Sequence, residues 1–194
     1  MRNLKTARYA AIVMCLSVAL IGAFVSASYA KTAAEIDARV NATMDQFMKE
    51  VKGAEEYLKG AKGELVMPGV TKAAFIIGGQ YGTGALRVDG NTVNYYSLVS
   101  GSLGYQIGAE KYDMVVLFMT DEALKKFERS EGWEGGVDGE ITLIDKGAAG
   151  SVETLRSQHP IVGFVFDQKG LMAGVSLKGA KFTKIKPDDW KEKP

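Results

Sequence analysis

The chain has 194 residues, of which 24 are Lys or Arg and 23 are Asp or Glu, so its formal net charge is +1. This near balance argues against general nucleic-acid binding, which needs a clear excess of basic residues to neutralise phosphates. Apolar residues make up 46% of the chain, enough for core burial to stabilise a globular domain.

The first thirty residues have the three-part pattern of a secretory signal peptide. Three basic residues precede an apolar run at 10–25, and Ser28 and Ala30 supply the small residues of a cleavage site. The pattern predicts export and cleavage before Lys31. The alternative is an uncleaved membrane anchor, for which the apolar run is short.

Residues 31–194 are therefore the predicted mature chain, long enough for one domain. Removal of residues 1–30 takes away three basic residues and no acidic ones, which leaves a net charge of −2. It also removes the only cysteine, Cys15, so disulfides, thiol nucleophiles and cysteine metal sites are excluded. Residues 13–14 lack the small residue of a lipoprotein signal ahead of Cys15, so no lipid-anchored N-terminus is predicted.

An amphipathic helix is predicted over residues 32–60. Thr32 and Glu35 form a capping-box signature, in which each side chain bonds the other residue's backbone N–H. Apolar residues then recur at spacings of three and four, and Gly53 is the place for a bend. The polar face has no basic excess, so docking on the core is favoured over a membrane-surface helix. The glycosylation pattern at 41–43 is treated as chance because it lies on this helix.

Short β-strands are predicted from residue 63 onward. Residues 64–67 form an apolar stretch stopped by Pro68 and Gly69, whereas residues 72–77 are ambiguous between strand and helix. Residues 85–88 and 92–96 flank an Asp-Gly-Asn turn, which is typical of a hairpin. The remaining predicted strands are 103–109, 114–119, 140–144, 161–166, 171–177 and 181–185.

A short helix is predicted over residues 121–129, with Thr120 as its N-cap. Consecutive strands joined by short turns favour antiparallel pairing. The predicted fold class is therefore α+β. Its sheet is mostly antiparallel and curled or barrel-like, with an N-terminal amphipathic helix and a short helix near 121–129.

No catalytic, metal or cofactor site is predicted. The glycines at 79–84 and 147–150 lack the lysine of a phosphate loop, and turn glycines explain them better. The single histidine, His159, could act in a Ser-His-acid triad only with a nucleophile elbow, which the sequence lacks. A position in a surface loop is therefore favoured for it. The acidic pair Asp188 and Asp189 is better read as the start of a terminal turn. The sequence therefore predicts a protein that is not an enzyme.

A cluster of lysines near the C-terminus is the candidate binding site. Its members are Lys178, Lys181, Lys184 and Lys186, which surround Phe182. An aromatic residue among cations suits an anionic lipid surface, where the ring inserts shallowly and each lysine contributes about 1 kcal/mol. The alternative is an edge strand that lysines protect against aggregation.

Six short motifs occur in order between residues 63 and 179. They are GELVMPG (63–69), GGQYGTG (78–84), GSLGYQIG (101–108), MTDEAL (119–124), GVDG (136–139) and GLMAGVSLKG (170–179). Together they resemble the SYLF domain, also called the yeast actin-regulator or Las17-binding family. The resemblance covers residues 61–185 and implies a lipid-binding domain without established enzyme activity in exported bacterial members.

The resemblance sets the expected function. Residues 31–60 and 61–194 are expected to form one SYLF-like domain that binds anionic phospholipids on a membrane surface in a bacterial periplasm or cell envelope. Actin regulation, which the resemblance attributes to eukaryotic members, is not expected of an exported chain, and no protein partner is identified. The alternative function is a structural or protein-interaction module of the envelope.

Overall fold

The computed structural model describes residues 31–74, 77–103, 108–144, 153, 157–170 and 175–189. Lys31–Pro194 form one compact unit. Residues 1–30, where the signal peptide is predicted, lie outside the described residues. Within the described ranges, no helix combines the length and the apolar character needed to cross a membrane.

The predicted N-terminal helix is present and is divided in two. Helix α1 is Ala33–Glu50 and helix α2 is Ala54–Gly60, separated at Gly53, whose φ is 79°. The capping box is confirmed, because Thr32 Oγ1 accepts from Glu35 N and a Glu35 carboxylate oxygen accepts from Thr32 N, both at 3.2 Å. The capping residues therefore fix where α1 begins, and Gly53 permits the break.

Helix α1 docks on the core through its apolar stripe, as predicted. Ile36, Val40 and Phe47 are buried, and the Phe47 ring lies 5.4 Å from the ring of Phe164. On its polar side, Asp37 accepts hydrogen bonds from the hydroxyls of Thr92 and Tyr95, at 2.8 and 2.9 Å. Apolar burial and these polar contacts together hold α1 against the sheet.

One eight-stranded sheet organises the rest of the described chain. The strands are β1 (Gly63–Ala74), β2 (Ile77–Val88), β3 (Asn91–Leu103), β4 (Gly108–Phe118), β5 (Trp133–Glu134), β6 (Thr142–Ile144), β7 (Ile161–Gly170) and β8 (Lys181–Ile185). Their order is β5-β8-β3-β2-β1-β4-β7-β6. Every pairing is antiparallel except β6 with β7, which is parallel. The predicted α+β class is confirmed, with a curled half-barrel sheet.

The hairpin between β2 and β3 turns where the sequence predicts it. Asp89 and Gly90 both have positive φ, 51° and 75°, as the tight turn requires. By contrast, the predicted segment at 64–67 and residues 72–74 of the second segment belong to one strand, β1, whereas Ile77 begins β2 and residues 75–76 lie outside the described residues. Its pairing register with β4 shifts between Met67 and Val70, and Gly69 has a φ of 56°. A bulge, rather than a strand end, therefore accommodates Pro68 and Gly69.

The third described helix, α3, is Asp121–Arg129, and Thr120 caps it as predicted by accepting from Ala123 N at 3.2 Å. The predicted strand at 171–177 is wrong for residues 175–177, which have no regular secondary structure. Parts of two predicted strands, at 104–107 and 171–174, lie outside the described residues.

Both faces of the sheet are covered, but by different elements. Helices α1 and α2 pack on one face over Val66, Ala85 and Tyr95. Helix α3 and Trp133 pack on the other face over a second apolar cluster. Along β2 and β3, the cover of α1 stops before the strands end, and the candidate site lies there.

Candidate functional site

The predicted lysine cluster lies on and around β8. Lys178, Lys181 and Lys186 are exposed, and Lys184 is half-buried. Strand β5 pairs only with the first two residues of β8, so the end of β8 carrying Lys184 has no paired strand on that side among the described elements. This position fits the edge-protection interpretation as well as the lipid-binding one, and the binding role of the cluster stays a prediction.

Phe182 does not reach the surface. Its side chain is 1% exposed, and its ring lies 5.8 Å from the ring of Trp133 and 6.1 Å from that of Phe127. Alternation along β8 places Phe182 and Lys181 on opposite faces of the sheet. The expected shallow insertion of Phe182 into lipid is therefore corrected: this ring stabilises the core.

Lys181 instead ends a row of side chains that crosses the sheet on the α1 face. The Tyr81 row consists of Lys169, Lys111, Thr71, Tyr81, Val99 and Lys181, each directly opposite the next on the neighbouring strand. Directly opposed residues present their side chains on the same face and close together. The row therefore has an apolar centre with lysines at both ends.

The centre of the Tyr81 row is open to solvent. Tyr81 is 55% exposed and its partner Val99 is 54% exposed. The next row toward the strand ends contains only small residues, namely Ala109, Ala73, Gly79 and Gly101. Among the described residues, apart from Gly101 and its two chain neighbours, no atom lies within 4 Å of the position that a Cβ on Gly101 would take. Tyr81 and Val99 thus stand above a low, flat surface.

The start of α1 sets the limit of this open surface. The Lys31 ammonium, just before the helix, donates to Thr83 Oγ1 at 3.1 Å, and Thr83 is buried. Tyr81 is the next residue of β2 on the same face, and it lies beyond this contact. The same face is therefore covered at Thr83 and exposed at Tyr81.

A small polar cleft adjoins the Lys111 end of the row. The Gly69 cleft lies between α1, the β1 bulge, β4 and β7, has a volume of about 210 Å³, and is lined by residues that include Arg39, Thr43, Gly69, Lys111, Asp113 and Lys169. Arg39 Nη2 donates to the Pro68 carbonyl at 3.0 Å. The bulge therefore brings a helix arginine and a strand lysine to one place.

The acidic side chains of this cleft have partners within the protein. Asp113 accepts from Thr43 Oγ1 and from Gly69 N, each at 2.7 Å. Asp167 pairs with the Lys169 ammonium at 2.9 Å. Asp113 therefore ties the bulge to α1 and β4, and Asp167 offsets the charge of Lys169.

The basic side chains of the cleft lie close together. A Cβ built on Gly69 would be 2.6 Å from Lys111 Cε and 2.7 Å from Arg39 Nη2. Lys111 is also directly opposite Lys169 across β4 and β7. Burial, and then the positive charges of Arg39 and Lys111, lower the pKa of Lys31 from its ordinary value. This end of the row is therefore a region of positive potential.

A titratable carboxyl group lies on the covered part of the same sheet face. Burial raises the pKa of Glu64 to about 7, against the opposing effect of Arg87, which is its partner across β1 and β2. The Arg87 guanidinium also donates to Asn41 Oδ1 on α1 at 2.8 Å. The Asn41 amide of the glycosylation pattern thus takes part in helix docking.

His159 is half-buried, and its Nδ1 lies 3.0 Å from Thr142 Oγ1. The side-chain carboxylate of Asp189 accepts a hydrogen bond from Ala33 N and therefore contacts the first turn of α1. Within the described part of the chain, no group of three or more His, Cys, Asp or Glu side chains is placed to hold a metal ion.

The sequence interpretation missed the Tyr81 row and the Gly69 cleft. The glycines at 79–84, predicted as turn glycines, lie within β2, where Tyr81 shares one face with Gly79, Thr83 and Ala85. The cleft brings together Arg39 and Lys111, which lie on different elements, so no local pattern marks it. The alternation in β2 was the one signal that could have indicated the row.

Residues 99–190 match the family model described as Ysc84, Las17-binding protein actin regulator. This finding confirms the resemblance to the SYLF family. The matched segment contains Val99, Lys111, Lys169 and Lys181 of the Tyr81 row, but not the two motifs at 63–69 and 78–84. Among curated proteins, no sequence match to the chain was found.

Proposed function

We propose, from the match of residues 99–190 to the family model of the Las17-binding protein actin regulator (Ysc84), that the chain binds anionic phospholipid head groups at a membrane surface. The SYLF resemblance implies a lipid-binding domain. The family is not a known enzyme family, and the proposed function includes no catalytic step.

The observation that carries the proposal is the composition of the Tyr81 row. Tyr81 and Val99 expose apolar surface side by side, and Lys111 and Lys181 stand beyond them on either side. A tyrosine ring suits the membrane interface because its body is apolar and its hydroxyl stays hydrated. Lysines beside it are attracted to anionic lipids, each by about 1 kcal/mol.

The β8 lysines extend this surface in the proposal. Lys181 belongs both to the predicted cluster and to the Tyr81 row, whereas Lys178 and Lys186 lie close to β8 along the chain. Tyr81 and Val99 take over the shallow apolar contact first expected of Phe182. Lys178, Lys181 and Lys186 supply additional positive charge around that contact, whereas alternation along β8 places Lys184 on the face of Phe182.

The membrane proposed is that of a bacterial periplasm or cell envelope. This part of the proposal rests on the predicted signal peptide at residues 1–30, because a cleaved export signal delivers residues 31–194 across the inner membrane. The glycerophospholipids of such an envelope include anionic head groups that the lysines could meet.

Vesicle co-sedimentation of the chain from Lys31 onward tests the proposal. Binding to phosphatidylglycerol vesicles should exceed binding to phosphatidylcholine vesicles. It should weaken from about 0.1 M to about 1 M salt, where the Debye length falls from about 10 Å to about 3 Å. Lys181→Gln should weaken binding about fivefold, as expected for a loss of about 1 kcal/mol.

A matched pair of apolar substitutions locates the contact. The double variant Tyr81→Ser, Val99→Ser should lose about tenfold or more in vesicle affinity, since burial of even one such side chain contributes about 1.5 kcal/mol or more. Val137→Ser is the control, because Val137 is 74% exposed and lies outside the row. No sedimentation with any vesicle would contradict the proposal and favour a protein-interaction module of the envelope.

A further inference from the structure

We propose that the Gly69 cleft is a binding subsite for one phosphate monoester group, held by Arg39 and Lys111 at the end of the Tyr81 row. The inference deepens the proposed lipid association and rests on it for the physiological ligand. It assigns a specific contact to a cleft that the SYLF resemblance does not mark.

The distribution of charge in the cleft favours an anionic ligand. Asp113 is engaged by Thr43 and the Gly69 backbone, and Asp167 is paired with Lys169. Arg39 binds a backbone carbonyl, and Lys111 has no carboxylate partner among the described residues. Arg39, Lys111 and Lys169 therefore oppose two carboxylates in the lining, which leaves a net positive charge of one.

The register of the sheet adds a second argument. Lys111 is directly opposite Lys169, whose ammonium is paired with Asp167, so Lys111 is the strand lysine of the cleft that remains for a ligand. A phosphate beside Lys111 would bring up to two negative charges and three acceptor oxygens to it.

The size and shape of the cleft suit a head group and not a large ligand. Its volume of about 210 Å³ is below the roughly 300–1,000 Å³ of pockets for drug-sized molecules. Glycine at position 69 lets the Lys111 and Arg39 side chains pack against its backbone, since a Cβ there would meet both of them. The arginine fork can then bind two phosphate oxygens at once, which gives geometric selectivity.

A phosphate monoester could come from a lipid head group or from a small molecule in solution. Titration of the chain from Lys31 onward with glycerol 3-phosphate, followed by isothermal calorimetry, tests the subsite without a membrane. Saturable binding is expected, with a loss of about tenfold or more in Arg39→Gln and in Lys111→Gln. The charge-matched control Lys125→Gln, an exposed α3 position, should bind as the unchanged chain does.

Vesicles separate the two sources. Phosphatidic acid, which presents a phosphate monoester, should bind better than phosphatidylglycerol, a diester, at equal surface charge, and Arg39→Gln should abolish the difference. Thermal unfolding of each variant, with Arg39→Lys as the variant that keeps charge but not the fork, separates misfolding from lost contact. Arg39→Lys is expected to fold and to bind the ester more weakly than the unchanged chain.

The outcomes for the subsite and for the proposed function differ. Vesicle binding that persists without any saturable ester binding, and without preference for phosphatidic acid, would overturn the subsite and leave the lipid association standing. Ester binding without vesicle binding would support the subsite for a ligand in solution and contradict the proposed function. Equal losses in Lys111→Gln and Lys125→Gln would also overturn the subsite, because they indicate diffuse attraction.

Discussion

The two ends of one sheet face have opposite environments although the same strands form both. Ala85 and Tyr95 are directly opposite on β2 and β3 and are buried under α1. Tyr81 and Val99, four residues away on the same strands and the same face, are more than half exposed. Alternation along a strand therefore predicts the face on which a side chain lies. The docked helix determines which part of that face is shielded from solvent.

The division has a consequence for function. A covered end stabilises the fold through packing, and an open apolar end is available for a partner. At the boundary lie the β1 bulge and Gly69, where α1 and β4 contribute Arg39 and Lys111. Substitutions at the covered end should change stability, and those at the open end should change binding.

The largest expected effect is at the covered end. Phe47→Ala removes a fully buried ring that contacts Phe164 and Phe166, so it should lower the free energy of unfolding by about 3–5 kcal/mol. Tyr81→Ala, at the open end, should change it by less than about 1 kcal/mol. Urea unfolding measures both. Similar losses in the two variants would contradict the division of the face.

A smaller effect is expected at the boundary. Gly69→Ala places a side chain in the left-handed region, which costs about 1–2 kcal/mol, and its Cβ would also displace Arg39 and Lys111. Gly101→Ala is the matched control, because a Cβ there enters open space. Thermal unfolding should show a clear loss for Gly69→Ala only. A variant at position 69 as stable as the control would refute the tight packing of the boundary.

A further effect concerns pH and the Glu64 carboxyl group, which lies at the covered end. Because burial raises the pKa of Glu64 from 4.5 to about 7, the folded protein holds a proton there more tightly than the unfolded chain does. Its contribution to stability is fully present below about pH 4.5 and is lost as the pH rises to about 7. Urea unfolding across this window should show a steeper decline for the unchanged chain than for Glu64→Gln. Parallel curves would contradict this assignment.

The locally encoded parts of the fold could be predicted from the sequence. The capping box at Thr32, the break at Gly53 and the turn at Asp89 and Gly90 each depend on a few neighbouring residues. Their physical causes, which are a side-chain hydrogen bond and a positive φ, can be recognised from residue type alone. The family resemblance indicated the expected function, which is binding of anionic lipids.

Features that depend on distant residues could not be predicted in the same way. Phe182 was expected at the surface because the sequence does not show that Trp133, on a strand of two residues, covers it. An unbroken register from the turn would pair Tyr81 with Leu98. The register shift between Leu86 and Arg87 makes Val99 the partner of Tyr81. The exposed pair therefore depends on a bulge that cannot be predicted from the turn residues.

The most direct test of the central claim is a measurement of which surface enters the membrane. The chain from Lys31 onward contains no cysteine, so Tyr81→Cys and Val137→Cys can each carry one environment-sensitive fluorophore. On addition of phosphatidylglycerol vesicles, the emission at position 81 should shift to the blue, whereas that at position 137 should not change. Vesicle binding accompanied by a shift at position 137 and none at position 81 would contradict the assignment of the Tyr81 row as the membrane contact.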